Sequence, residues 1–225
     1  MARREHQYER FETTSKEKIY KLGSMINDGF HHDPRRIAFT ASRYKFVSKM
    51  LSSVDDVIEV GCGDGFMSRI VLQEVKHLDL TDFDESFIIE AQTFYSDEKR
   101  LEVFHHDLVR QPFSRAYNAI YALDVLEHVS PNNEAIFMEN LALSLKRDGI
   151  CIIGMPSIES QLYASEISRA GHVNCKNGET LREFMNLWFE STFIFSMNDE
   201  VVHTGFFPMS QYLIAVSTHP RFKNR

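Results

Sequence analysis

A polar cluster follows one of the apolar runs of this 225-residue chain: Asp124, Glu127 and His128 within Leu123-Asp124-Val125-Leu126-Glu127-His128. Asp124 and His128 stand four apart and Glu127 adjoins His128, so a helical turn would bring them to one site. His172, in Gly171-His172-Val173, lies beyond a later apolar run, and His203 is a further candidate. Two chemistries suit these residues. His128 or His172, with Asp124, could act as a general base, since imidazole titrates near neutrality. Alternatively Asp124, Glu127, His128 and His172 could hold a divalent cation (Mg, Mn, Fe or Zn all accept mixed carboxylate and imidazole ligands) that binds and acidifies a substrate hydroxyl.

A second group is Glu59-Val60-Gly61-Cys62-Gly63-Asp64-Gly65, three glycines at alternate positions after a short apolar run. Glycine admits backbone angles closed to other residues and lets a ligand approach the main chain. The spacing is neither the G-x-G-x-x-G that seats a pyrophosphate nor the P-loop pattern. Glu59 would repel a phosphate and suit a cationic ligand. A third group is the acids closing two other apolar runs, Asp82 in Thr81-Asp82-Phe83-Asp84 and Asp107 in His106-Asp107-Leu108. Acids at strand ends lie where doubly wound sheets bind ligands, although they also serve plain turns.

These groups need a scaffold that delivers them together. Short apolar runs at 57–60, 77–82, 101–107, 117–123 and 150–155 alternate with helical segments at 66–75, 85–95 and 131–145. Such alternation implies βαβ units and a mostly parallel, doubly wound α/β sheet, with ligands at the carboxyl ends of its strands. A helix at 179–189 and strands at 192–197 and 211–217 would complete seven strands, leaving a C-terminal antiparallel strand at one edge. Upstream, Asp33-Pro34 reads as the cap and first residue of a helix reaching Leu51. Residues 1–53 form an N-terminal arm and helices, a possible lid, and 54–225 the main domain, the whole being one globular unit. The segment His31 to Arg36 could hang over the site with His32 or Arg36 touching a ligand, although such residues also serve plain helix entries and solvated faces, and Glu5 to Lys21 reads as a surface helix or arm.

The strand, glycine loop and following acids resemble the class I S-adenosylmethionine (SAM)-dependent methyltransferases, well over residues 54–156 and more loosely beyond. The resemblance implies SAM as cofactor, with Glu59, Gly61 and Gly63 under its methionine and ribose portions. It implies Asp82 on the ribose hydroxyls, Phe83 beside the adenine, Asp107 and Leu108 at the adenine amino group, and Leu123 near the reacting methyl. Asp124-x-x-Glu127-His128 is similar to the metal-binding segment of ubiquinone-biosynthesis O-methyltransferases and small-RNA 2′-O-methyltransferases, which carry Glu where this chain has Asp124. The same segment also occurs in methyltransferases with no known metal, where the carboxylates act as hydrogen-bond and cap residues. The implied activity is methyl transfer to a hydroxyl of a polar small molecule, such as a sugar or nucleotide-linked sugar. Alternatives are N-methylation of an amino sugar, a small-RNA methyltransferase, or a non-catalytic SAM-binding protein.

Bulk composition narrows the partners. A net charge of -7 disfavours a nucleic-acid backbone as partner. No run approaches the ~20 apolar residues of a membrane span. Cys62, Cys151 and Cys175 are odd in number and unpatterned, as in a reduced cytoplasmic protein. Oligomeric state is not encoded in any of these features.

Overall fold

A computed structural model describes residues 20–221. Its centre is an eight-stranded sheet in the order β3-β2-β1-β4-β5-β8-β6-β7. The strands are β1 (Asp56–Val60), β2 (His77–Asp82), β3 (Leu101–His105), β4 (Tyr117–Leu123), β5 (Leu145–Pro156), β6 (Phe189–Asn198), β7 (Val201–His203) and β8 (Tyr212–Pro220). The first five run parallel, whereas β8 lies antiparallel between β5 and β6. Strand order reverses between β1 and β4, and doubly wound sheets bind ligands beyond the carboxyl ends of their strands at such a switch point.

The sheet has eight strands, not the expected seven. The additional one is β7, whose three residues pair with the end of β6 after a turn through Asp199, held at φ 49°. Three residues are too few to display alternation, which is why the sequence pattern did not reveal it. The two late strands do pair antiparallel, but β8 goes inside and leaves β6 and β7 toward the edge.

Alternation along the strands divides the core into two layers. In β5, Ile152 faces the same side as Val57, Leu80, Val47 and Leu51, while Cys151 and Ile153 face the side of Ile58, Leu126, Met138 and Leu181. On the first side lie α1 (Ser24–His32), α2 (Arg36–Met50), α3 (Ser68–Leu72) and α4 (Glu85–Phe94). The other holds α5 (Glu134–Leu143) and α7 (Gly178–Asn186); a short α6 (Glu166–Gly171) follows β5.

The N-terminal helix differs from expectation. It begins two residues late, at Arg36, after a break at Asp33–Arg35 in which Asp33 accepts hydrogen bonds from the backbone and side chain of Arg35 at 3.2 and 2.8 Å. Upstream of the break, α1 has no buried residue. It is held by its first turn: Ser24 N donates to Glu90 at 2.7 Å and Ile26 N to Asp64 at 2.9 Å. By contrast, α2 belongs to the body, because Val47 and the following Leu51 are fully buried. The reading of Glu5 to Lys21 falls outside the described residues except for its last two positions. Among the described residues, no helix is long and apolar enough to cross a membrane.

Candidate functional site

The glycine loop leaves β1 with Gly61, Gly63 and Gly65 at φ 75°, 54° and 71°. A side chain at Gly61 would lie 2.3 Å from Val125, so both the backbone angle and the space require glycine. Gly63 carries the Met25 sulfur of α1 directly on its Cα face. Its N–H donates to Asp82 Oδ2 at 3.0 Å, while Asp82 Oδ1 accepts from the Asp84 N–H at 2.9 Å. The fold thus joins the loop to the acid at the end of β2, 19 residues away. Phe83 stands 75% exposed beside them.

Other expected cofactor residues sit differently. Asp107 Oδ1 caps its own turn by accepting from Val109 N at 2.9 Å, and its Oδ2 pairs with Arg110 at 3.2 Å. Leu108 and Leu123 are both buried among core side chains. Glu59 is fully buried, and its carboxylate accepts from Tyr44 OH and Tyr121 OH at 2.6 Å each and from Ser68 Oγ. Burial pushes its pKa up to about 7 even though the three hydroxyls favour the charged form. Its oxygens are spent on binding β1 to α2, α3 and β4, so in this arrangement any influence on a cationic ligand acts through its charge.

At the end of β4, Asp124 takes φ 58° and donates its N–H to Gly154 O at 2.9 Å. Both carboxylate oxygens accept from Arg43 Nη1, at 3.0 and 2.8 Å, and the Arg43 guanidinium lies 3.8 Å over the Tyr212 ring. A 3-10 turn, Leu126–His128, then buries Leu126 and carries Glu127 inward with it. Glu127 is fully buried and neither of its oxygens has a hydrogen-bond partner. Burial first, and then the charge of Asp124, drive its pKa well above the usual carboxylate range.

His128 Nδ1 lies 3.0 Å from the Gly171 carbonyl, and His172 Nδ1 lies 2.9 Å from Gln161 Oε1. The two rings are 5.1 Å apart, and His128 Nε2 is 4.0 Å from Glu127 Oε1. One ligand atom from each of Glu127, His128 and His172 falls within 4.8 Å of the others. Burial, then the neighbouring His128, lower the pKa of His172. The fold therefore assembles three of the four expected cation ligands. Asp124 stands apart from that cluster, with its carboxylate committed to Arg43.

His203 is turned to a structural task. Its Nδ1 accepts from Gly205 N at 2.9 Å and its Nε2 meets Asn198 Oδ1 at 2.8 Å, closing the β6–β7 turn. Of the N-terminal candidates, His32 meets its own helix's Asp28 carbonyl at 2.9 Å and Arg35 pairs with Asp33. Arg43, Tyr44 and Gln161 were not legible as site residues. Arg43 and Tyr44 look like ordinary positions of an amphipathic helix, and Gln161 lies in a stretch without a motif.

A glycine loop bonded to a strand-end acid beside the strand-order switch lies where doubly wound sheets bind nucleotide-type cofactors. Residues 58–151 match the family model described as a methyltransferase domain. Two Mycobacterium tuberculosis proteins named Probable S-adenosylmethionine-dependent methyltransferase are each 25% identical over 103 residues, 45% of this chain. The chain spans 36% of the length of these curated relatives. The fold also matches the methyltransferase domain of bacterial CtHen1-C, with TM-score 0.65 and 18% identity over 80% of this chain and 98% of that one. N-methyltransferase NodS from Bradyrhizobium japonicum WM9, solved with S-adenosyl-L-homocysteine (SAH), matches with TM-score 0.62 and 15% identity over 94% of this chain and 98% of that one.

Proposed function

We propose that the protein moves a methyl group from SAM to a hydroxyl of a polar small molecule, a sugar or nucleotide-linked sugar, using a divalent cation held by Glu127, His128 and His172. The supporting observation is Glu127, a fully buried carboxylate with both oxygens unpartnered and His128 Nε2 4.0 Å away. A buried carboxylate without partners costs several kcal/mol (about 3–5 when its partner is removed), and a bound cation offsets that cost. One carboxylate oxygen and two imidazole nitrogens are donors that Mg, Mn, Fe or Zn accept, so the residues fit the group. When bound, the cation would lower the pKa of a coordinated acceptor hydroxyl.

The chain's own residues supply the rest. Gly63 would let a ligand approach the loop once Met25 of α1, which covers it, moves away, and Asp82 retains lone pairs on both oxygens for the ribose hydroxyls. Phe83 offers an exposed face to the adenine. Gly61, Asp107, Leu108 and Leu123 shape the walls, and Glu59 supports the loop from beneath. Arg43 neutralises Asp124 and thereby sets the floor next to the reacting centre. In the lid role expected of residues 1–53, α1 is the moving part, because it lies on the glycine loop and buries no side chain of its own. The net charge of -7 favours a small acceptor over a nucleic acid. Three free cysteines accord with a reducing cytoplasmic setting.

Calorimetric titration tests this reading. Chelator-treated protein is titrated with SAH and then with Mn²⁺, Mg²⁺, Fe²⁺ or Zn²⁺, alongside Glu127→Ala. SAH heat in both proteins, with cation heat in the wild type alone, is the expected result. No SAH binding under any condition overturns the cofactor assignment, and no binding of any of the four cations by the wild type overturns the cation site. Methyl transfer to amino sugars but not to hydroxyl acceptors would replace O-methylation by N-methylation.

A further inference from the structure

Gln161 lies in the 3-10 turn Glu159–Tyr163 that follows β5. We propose that Gln161 is a positioning residue that fixes the tautomer of His172, keeping the proton on Nδ1 and the Nε2 lone pair free for the Glu127–His128 cluster. The inference deepens the cation-centred reading above and rests on it.

The orientation of the Gln161 amide follows from its neighbours. Its Nε2 lies 3.3 Å from Ser157 O and 3.2 Å from Ser160 Oγ. Ser157 O can only accept. Ser160 Oγ donates its own proton to Ser157 O at 2.7 Å, so it presents a lone pair to Gln161. Two acceptors face Nε2, which puts the amide NH₂ there and Oε1 on the opposite side, 2.9 Å from His172 Nδ1. A flipped amide would set oxygen against two oxygens. Facing an acceptor, Nδ1 must carry the hydrogen, and a neutral imidazole then has its lone pair on Nε2.

The tether beneath Gln161 is stiff. Ser157 is fully buried at the exit of β5, with its N–H on Gln211 O at 3.1 Å and its hydroxyl on Ser210 O at 2.5 Å. The preference at His172 is therefore anchored to the β5–β8 junction. His128 is oriented by a different device, the main-chain carbonyl of Gly171, which no side-chain substitution removes. Of the two contacts at the ring Nδ1 atoms, the one to Gln161 is thus the one a point substitution can cut. A partner that orients a ligating histidine by its other nitrogen typically accounts for about 10–100-fold in metal affinity.

The full chain, free of metal and at mildly alkaline pH where imidazoles are neutral, is first examined by ¹⁵N NMR of its histidine rings. His172 is expected as the Nδ1–H tautomer. In Gln161→Met, which keeps the volume and removes the strong acceptor, the proton is expected to move largely to Nε2. Titration with Mn²⁺ then reads affinity, with a loss of about 10–100-fold in Gln161→Met. SAH affinity stays unchanged throughout, which a general loosening of the fold would not allow. A wild-type His172 protonated on Nε2, or a Gln161→Met protein with unaltered tautomer and Mn²⁺ affinity, overturns the proposal. Should Gln161→Met fail to fold, the wild-type tautomer decides alone. A wild type that binds no cation yet holds His172 as Nδ1–H sinks the cation reading and leaves the positioning role standing.

Discussion

Replacing Glu59 by Gln isolates a pH-dependent term in stability that follows from where the fold puts this carboxyl. Burial lifts its pKa from 4.5 to about 7 against the pull of the Ser68, Tyr121 and Tyr44 hydroxyls. At a pH between those two values the unfolded chain has lost this proton while the folded chain still holds it. The folded state therefore binds more protons, and its stability falls as pH rises. The contribution is fully present below the unfolded pKa and lost as pH climbs through about 7. At about 1.4 kcal/mol per pH unit, the span between the two pKa values caps the loss at about 3 kcal/mol. A glutamine keeps a similar shape, can accept from Tyr44, and does not titrate. Urea unfolding of both proteins at a series of pH values from about 4 to 8 gives the difference directly. The wild type should lose up to about 3 kcal/mol more than Glu59→Gln over that range. Parallel pH profiles for the two proteins would refute the argument, showing that the carboxyl does not gain a proton on folding.

Three further outcomes are expected. Gly61→Ala combines a positive φ with a Cβ placed 2.3 Å from Val125, and should lower unfolding free energy by about 1–3 kcal/mol; adding Val125→Ala should recover only the clash part, as urea midpoints will show. Phe83→Ala should leave stability within about 0.5 kcal/mol because the ring is largely exposed, while SAH affinity falls about tenfold for a lost aromatic contact; unchanged SAH binding would remove Phe83 from the cofactor site. Arg43→Met leaves Asp124 without its cation beside buried Glu127. Because the Asp124 side chain is 37% exposed, the loss should be about 1–2 kcal/mol rather than that of a fully buried pair, and turnover should fall while SAH affinity measured by calorimetry holds.

What the amino-acid order determined by itself was the part that depends on near neighbours. Apolar runs of strand length set between helical stretches are enough to imply a doubly wound sheet, because backbone periodicity is a local property. The alternate glycines declared a loop of positive φ, and Gly61, Gly63 and Gly65 all adopt one. Asp82 was legible as a strand-end acid at the edge where doubly wound sheets bind ligands, but its bond to the Gly63 N–H came only with the fold. Tertiary structure decided which of the polar residues meet. Arg43 and Asp124 are 81 residues apart, and no spacing rule marks an arginine in a helix as the partner that takes up the Asp124 carboxylate. Glu59 looked like a ligand contact until Tyr44 and Tyr121, one on a helix upstream and one on β4, were brought to its oxygens. Gln161 is 11 residues from His172, yet it touches that ring only because β5 and β8 hold Ser157 beneath it. Local sterics operate over a few residues and can be read from the chain. Hydrogen-bond partners in a buried site depend on distances that exist only once the sheet has closed the intervening chain into loops.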